Sequence, residues 1–555
     1  MTTGNLAWSM RKRVIDVKAY SFNVLSEPWI PVTGAQGFEE LGIMEVLERA
    51  HELHGILDPS PLIQFGIYRL LVAFIMDAYD LRRRDQLEDI LEKGRFDPEV
   101  LERYVKECGN CFDLFDDKKP FLQSPHDELL DGDAETIVYL LQHLPCGNIN
   151  HFHHIETARE TFAPWVCARG LCAIAPFSTK GGRGYSPSIN GAPPWYVQIK
   201  GSNLFETLTL NTISDDLPKG MSRDGPPAWR SRDMVCKKEV NRVSLLEGLT
   251  WQPRRIRLIP GSGGACTYSN KPSDILVRTM IFSAGLMART TDSWSDPNVA
   301  YMITDKGCNP LRLRENRDPW RDTGVLLLLR QGDYASQGGK VRFERPQVIT
   351  QFWQLEEFFG HPRTLTVEVY GAQTKDMKFF SWRHESLSLP AGLLEDLMSG
   401  LMVQKALEQA DQVSNDLSKA LKVAVSGNDK AFKESIRNFS KAQQKIGNDK
   451  TLKESIRNCQ RFFWDALHPE FDRLLDEVSQ RGRDDIDRWS GFLAGWQSTL
   501  KRVAGMALEE ILDGLDANAS SLARQVAARD LFWGSFMQIF TPLGSNQKKS
   551  KRKEK

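Results

Sequence analysis

Apolar residues recur at helical spacing near both ends of this chain and in short strand-like runs between them. Leu62, Phe65, Leu70 and Phe74 carry a helical pattern that predicts helix over 61–80, and the preceding apolar spacing predicts another over 39–56. Residues 84–107 are charged and amphipathic, which predicts a surface helix. In Phe22–Val32 two prolines bracket Trp29-Ile30, a pattern that suits an extended edge segment and not a helix. The aromatics of Phe112–Asp116 and Pro120–Gln123 predict a loop anchored on the core. From about 197 to 385 the β-like runs are Val197–Ile199, Leu204–Leu210, Arg255–Ile259, Gly324–Leu329 and Thr364–Tyr370, separated by Gly, Pro, Asn and Asp turns.

After Pro390 the helical period returns. Leu393, Leu397 and Leu401 begin it, and Phe492, Trp496, Leu500 and Val503 fall on one face. Breaks near Gly427, His468-Pro469, Arg481-Gly482 and Asp516 divide 390–542 into about four long helices. The predicted fold class is α+β: an extension at 1–20, a large mixed α/β domain at 21–388, an antiparallel four-helix bundle at 389–542, and a basic tail at 543–555. The segment Gly427–Asn438 recurs at Gly447–Asn458. One duplication is too little for a solenoid and reads as an insertion in one hairpin of the bundle.

Composition narrows the function. Lys+Arg and Asp+Glu both number 72 in 555 residues, so the chain lacks the basic excess of a free-standing DNA-binding domain. Any nucleic-acid contact must be local or shared with partner proteins. The 14 Trp and 28 Phe favour extensive interfaces. Nine scattered cysteines argue against a disulfide framework. Met1–Val14 has no apolar core of a secretory signal, and the apolar run Leu62–Ala78 contains Gln64, Arg69 and Asp77, which favours a buried helix over a membrane span. A cytoplasmic protein with no membrane contact is expected.

Potential contact groups concentrate between Asn148 and Gly191. His151, His153 and His154 lie close in sequence to Cys146, Cys167 and Cys172. Zinc takes such ligands in fours, and Cys266 is the lone cysteine of the next candidate loop, so Cys167, Cys172 and Cys266 make a weak structural-zinc set. No cofactor is expected. Gly181-Gly182-Arg183-Gly184, beside Lys180, offers backbone N–H groups to an anion, but no Gly-Lys-Ser/Thr follows as a nucleotide loop requires. A plain surface loop and a loop that enters a DNA minor groove both fit. No nucleophile elbow, paired Cys/His signature or two-metal carboxylate cluster is present, which makes a poor enzyme candidate. Arg254, Arg255 and Arg257 follow Trp251-Gln252-Pro253, and the latter two fall on one face of an extended segment, to pair with acids or touch phosphate. Tyr370–Lys375 reads as a hairpin tip.

The block Glu27-Pro28-Trp29-Ile30-Pro31-Val32 resembles the N-terminal signature of the CasA-type large subunits of the type I-E CRISPR surveillance complex, Cascade. Phe112-x-Leu-Phe-Asp with Pro120-Phe121-Leu-Gln123 is similar to the family's second block, and the Cys pair, Ala173 to Phe177, the glycine loop and Trp251-Gln252-Pro253 follow in family order. The resemblance spans roughly 22–540. It implies a non-catalytic subunit that recognises the protospacer-adjacent motif (PAM) in double-stranded DNA, promotes unwinding and R-loop formation, and helps recruit a helicase–nuclease, while guide pairing reads the sequence. The implied partners are other Cascade subunits, the CRISPR guide RNA, target duplex DNA and that helicase–nuclease, with the bundle touching the small subunits.

By the same resemblance, Lys180, Gly181, Gly182, Arg183 and Gly184 form the PAM loop. Gln373, with Lys375, is the wedge beside it, and Asn150, His151 and Phe152 dock at the guide handle. This chain departs from the family in the loop Pro260–Cys266, which has no lysine before Lys271; Tyr268 or Ser269 stand as substitutes. The competing readings are a metal-dependent nucleic-acid hydrolase built on the His/Cys cluster and a purely structural scaffold of a ribonucleoprotein.

Overall fold

Trp29 delivers the chain into a three-stranded antiparallel sheet of β1 (Ile30–Gly34), β2 (Gly37–Leu41) and β3 (Leu53–Ile56) in the order β2-β1-β3. The proline-bracketed segment therefore supplies a central strand and not an edge. Pro31 is tolerated because it lacks only the N–H: it pairs Glu40 of β2, and its carbonyl still accepts the Leu57 N–H at 3.0 Å on the β3 side. Residues 39–56 are likewise not one helix but the end of β2, α1 (Ile43–Glu48) and β3. The buried Leu41, Ile43, Val46, Leu47, Leu53 and Ile56 mimic a helical period while serving three elements.

The computed structural model describes residues 20–125, 134–144, 160–181, 184–214, 217, 221–231, 239–288, 294–305, 307–314, 317–327, 334–336, 339–355, 364–375, 378–390, 393, 397–425, 450–479 and 486–540. They fall into two compact units woven from separate segments. Unit 1 takes Met1–Pro193, Gly201–Asp296 and Thr374–Trp382, and unit 2 takes Pro194–Lys200, Pro297–Gln373 and Arg383–Lys555.

Unit 1 is built on α2 (Pro61–Ala78), which starts with Pro61 in its first turn and is buried from Leu62 to Met76. Its length and apolarity would suffice for a membrane span, but 83% of that window is buried inside the protein. Arg69 in its middle forms an ion pair with Asp296 at 2.7 Å and donates to the carbonyls of Leu249 and Gly248. The predicted surface helix at 84–107 is two helices, α3 (Arg84–Lys93) and α4 (Pro98–Cys108). Gly94, at φ +63, ends the first, while Asp97 caps the second ahead of Pro98. Phe112 stacks on Phe121 at 5.5 Å and meets Phe74 of α2, so these aromatics do anchor their loop on the core.

A second sheet joins β4 (Ala134–Thr136) to the long strands Pro272–Ala284 and Arg254–Ala265. Against it and against α2 packs α5 (Pro164–Phe177). The run Leu204–Leu210, expected as β-like, is the helix α6: the Asn203 side chain accepts the Glu206 N–H at 2.9 Å and nucleates it. The helix α7 (Leu245–Leu249) opens with a capping box between Ser244 and Glu247.

In unit 2, strand Tyr196–Lys200 pairs antiparallel with Thr364–Lys375, from Tyr196↔Tyr370 to Lys200↔Thr366. A four-stranded sheet follows the order Gly307–Pro310, Tyr301–Thr304, Gly339–Glu344, Tyr334–Ser336. The apolar run expected as strand at Gly324–Leu329 contributes to a helix, Thr323–Leu327. Short apolar runs do not discriminate the two states by periodicity. Four long helices follow: Leu397–Val425, Lys450–Ser479, Ile486–Asp513 and Ala519–Ile539. Phe492, Trp496, Leu500 and Val503 are all buried, and the Trp496 indole N–H donates to the Ala406 carbonyl at 3.0 Å. Glu509 pairs with Arg529 at 2.6 Å and Glu470 with Arg502 at 2.9 Å, which ties consecutive helices. The expected break at His468-Pro469 does not occur, since Pro469 lies inside the helix Lys450–Ser479. The first copy of the repeat, 427–438, lies outside the described residues, as do the predicted breaks at Gly427 and Arg481-Gly482.

Candidate nucleic-acid interface

The helix α5 ends at Phe177: Ser178 gives its N–H to the Ile174 carbonyl at 3.3 Å but turns away at ψ 129, and its hydroxyl donates to the same carbonyl at 2.7 Å. The glycine loop follows, and the chain is drawn back where the Ser188 N–H donates to the Ser178 carbonyl at 2.8 Å. The loop is thus a closed excursion with both feet pinned. Lys180 is exposed on it, and Gly182 and Arg183 lie outside the described residues.

Two glycines are required by the geometry. The Gly181 N–H donates to the Tyr185 carbonyl at 3.1 Å, and a Cβ at Gly181 would sit 2.4 Å from the Tyr185 Cβ. Gly184 has φ +94, a conformation that side-chain-bearing residues rarely adopt. Tyr185 in turn stacks on Phe282 with ring centres 6.0 Å apart and donates its hydroxyl to the Phe282 carbonyl at 3.1 Å.

Arg254, the first residue of its long strand, reaches both sides of this loop. Its Nη2 donates to the Thr179 carbonyl at 2.6 Å, and its Nη1 donates to the carbonyls of Ser186 and, at 2.9 Å, Pro253. The guanidinium lies 5.1 Å from the centre of the Tyr185 ring. Burial pulls its pKa down to about 10, which leaves it a cation at neutral pH. The sequence placed Arg254 in a three-arginine block without separating it from its neighbours. Arg257, weighed for acid or phosphate, turns to the Asp116 carbonyl at 2.7 Å and to Asp117 at 3.2 Å.

The segment after the loop is anchored by a buried network. Asn190 donates to Asp296 at 2.8 Å and accepts from the Trp294 indole at 2.8 Å, which joins it to the Arg69–Asp296 pair. On α5, Arg169 donates to the Trp29 carbonyl at 2.7 Å and pairs with Glu40 at 2.7 Å. The N-terminal Glu-Pro-Trp-Ile-Pro-Val block and the Cys-bearing helix are therefore one construction.

The remaining candidates scatter. Cys167, Cys172 and Cys266 are buried free thiols. The Cys172 thiol donates to the Ala168 carbonyl at 3.3 Å and the Cys266 sulfur accepts the Ala163 N–H at 3.3 Å. Burial raises the pKa of Cys167 and of Cys172, so both are held as thiols. Among the described residues no group of three or more His, Cys, Asp or Glu is placed to hold a metal ion. His151, His153, His154 and Cys146 lie outside them, as do the docking candidates Asn150 and Phe152.

Pro260–Ala265 is not the loop the sequence suggests but the outer part of the strand Arg254–Ala265. Tyr268 in the following turn bonds His143 through its hydroxyl at 3.2 Å, the Ser269 hydroxyl accepts the Lys271 N–H at 3.4 Å, and the Lys271 ammonium pairs with Glu40 at 2.8 Å. Gln373 is half-buried on the strand Thr364–Lys375, with Lys375 its last residue. Gln373 stands two residues before the end of that strand, so it lies on the strand and not at a tip.

The family model for CRISPR-associated protein Cse1 matches residues 23–507. The CRISPR-associated protein CasA/Cse1 of Thermus thermophilus is 28% identical over 507 residues, which span 86% of this chain and 92% of that one. The crystal structure of Cse1 from Acidimicrobium ferrooxidans has a TM-score of 0.70 at 21% identity, covering 94% of this chain and 99% of its own. A chain of a CRISPR RNA-guided surveillance complex has a TM-score of 0.67 at 18% identity, covering 92% and 99%.

Proposed function

The chain belongs to the CRISPR-associated Cse1 family, and from that premise we propose that it is the non-catalytic large subunit of a type I-E Cascade complex that recognises the PAM in duplex DNA. Its similarity to a chain of an RNA-guided surveillance complex supports a place beside a guide RNA, other protein subunits and target DNA. Guide pairing then reads the target, and the protein is left with a short duplex motif. The exact balance of 72 basic and 72 acidic residues suits a subunit whose neighbours supply much of the phosphate-binding charge.

One observation carries the reading. The glycine loop of unit 1 stands on pinned feet, exposes Lys180, and presents backbone at Gly181 and Gly184 where the geometry leaves no room for a side chain or favours none. The minor groove is narrow and its donor–acceptor pattern degenerate, so a slim, amide-rich, weakly basic loop is chemically suited to it. In this reading Lys180, Gly181, Gly182, Arg183 and Gly184 face the PAM. Gln373 and Lys375 act in strand separation, and Asn150, His151 and Phe152 dock at the guide handle. The division of labour follows 21–388 for nucleic acid and 389–542 for a four-helix bundle that touches the small subunits. R-loop formation then recruits the helicase–nuclease. The protein works in the cytoplasm without a metal or cofactor of its own.

The test is a PAM-library duplex-binding assay on the complex reassembled with its partner subunits and a guide RNA. Gly182→Phe is expected to abolish PAM-dependent binding while assembly stays intact. PAM preference that survives the substitution would overturn the assignment. Stoichiometric metal together with intrinsic DNA cleavage by the purified chain would overturn the non-catalytic reading in favour of a hydrolase.

A further inference from the structure

Arg254 is a buried guanidinium whose described hydrogen bonds all run to backbone carbonyls, those of Thr179, Ser186 and Pro253, and whose planar face lies over the Tyr185 and Phe282 rings at 5.1 and 5.9 Å. A charge withdrawn from water is costly unless its donors are satisfied. Here the carbonyl dipoles and the aromatic faces meet that demand, and two of the three carbonyls belong to the two ends of the glycine loop. Tyr185 is held at the same point from below, stacked on Phe282 and bonded to its carbonyl, and it closes the loop onto Gly181.

We infer that Arg254, on its Tyr185–Phe282 floor, is the positioning residue that holds the glycine loop in its DNA-accepting shape. This rests on the reading of that loop as the PAM reader. Arg254 touches no DNA in this role; it acts through the loop backbone.

The physical consequence is preorganisation. Fixing a backbone costs conformational entropy, and a loop left to order on contact with DNA deducts that cost from binding. A clamp on Thr179 and Ser186 meets the cost during folding. The geometry also selects arginine. A lysine has one compact ammonium and no fork, so it cannot hold two loop ends and stack on Tyr185 together.

The experiment uses the reassembled complex carrying Arg254→Lys, Arg254→Gln or Tyr185→Leu, the last keeping the test open should an arginine variant fail to fold. Three quantities are read: the Kd for a duplex with the preferred PAM, the Kd for a target opened beforehand so that no PAM reading is needed, and the rate of tryptic nicking after Lys180. The PAM duplex is expected to bind at least about 10-fold more weakly while the pre-opened target changes less than about 2-fold, since only the preorganisation of the loop is lost. Nicking after Lys180 is expected to accelerate. A merely structural defect would weaken both targets alike, and that result overturns the inference. So does an assembled Arg254→Gln complex with unchanged PAM discrimination. Gly182→Phe run in parallel separates the two levels. If it abolishes discrimination and Arg254→Gln does not, the clamp alone fails; if both leave discrimination intact, the loop reading fails as well.

Discussion

At the scale of single residues, the molecule spends its buried charges on fixing loops and joints. Arg69 and Asp296 are the clearest case: both side chains are almost wholly buried, and Asn190 shares the Asp296 carboxylate. Removing one partner of such a pair strands the other's charge, so Asp296→Ala is expected to cost about 3–5 kcal/mol, measured by urea unfolding. A loss below about 1 kcal/mol would show that the pair is solvated. Arg169 and Arg254 work in the same way on the carbonyls of Trp29, Thr179 and Ser186. None of this was legible in the sequence, because a carbonyl leaves no mark in residue type and the partners lie far apart along the chain. The glycines of the loop were legible, since Gly181 and Gly184 occupy places where a side chain collides or strains. The position of Gln373 was not. Its neighbours read as a turn, yet the strand Thr364–Lys375 continues past it.

At the scale of elements, long periodic segments were legible and short ones were not. The helix Pro61–Ala78 and four long C-terminal helices stand where apolar residues at helical spacing predicted helix, although Pro61–Ala78 is buried on every side. The run Leu204–Leu210 was misread as β-like although its N-terminal signal, Asn203 with Glu206 three residues later, stood in plain view. Periodicity over seven residues is weak evidence, and the cap is the better guide. Pro469 erred in the opposite direction, since the flanking packing of Phe463, Leu467, Phe471 and Leu474 in the buried core carries the helix through it. The last helix, Ala519–Ile539, depends on its own cap: the Asn518 side chain accepts the Ser521 N–H at 2.9 Å. Asn518→Ala is expected to destabilise the protein by about 1 kcal/mol and Asn518→Ser by much less, both read from denaturation midpoints. Equal losses would mean the cap contributes nothing.

At the scale of the whole molecule, the chain alternates between two compact units. Residues 194–200 leave the first for the second, and 374–382 belong to the first again. Non-local pairing of this kind, such as Tyr196–Lys200 with Thr366–Tyr370, has no local signature to read. Family membership was legible because its motifs are structural joints: Trp29 on Arg169, Phe112 on Phe121, Gln123 on Leu258. The functional claim remains concentrated in one loop. Its most direct test places a photo-crosslinking amino acid at Lys180 in the assembled complex and maps the adducts on a PAM-bearing duplex. Crosslinks confined to the PAM base pairs are predicted; crosslinks only to guide RNA, to partner protein or to duplex outside the PAM would contradict it.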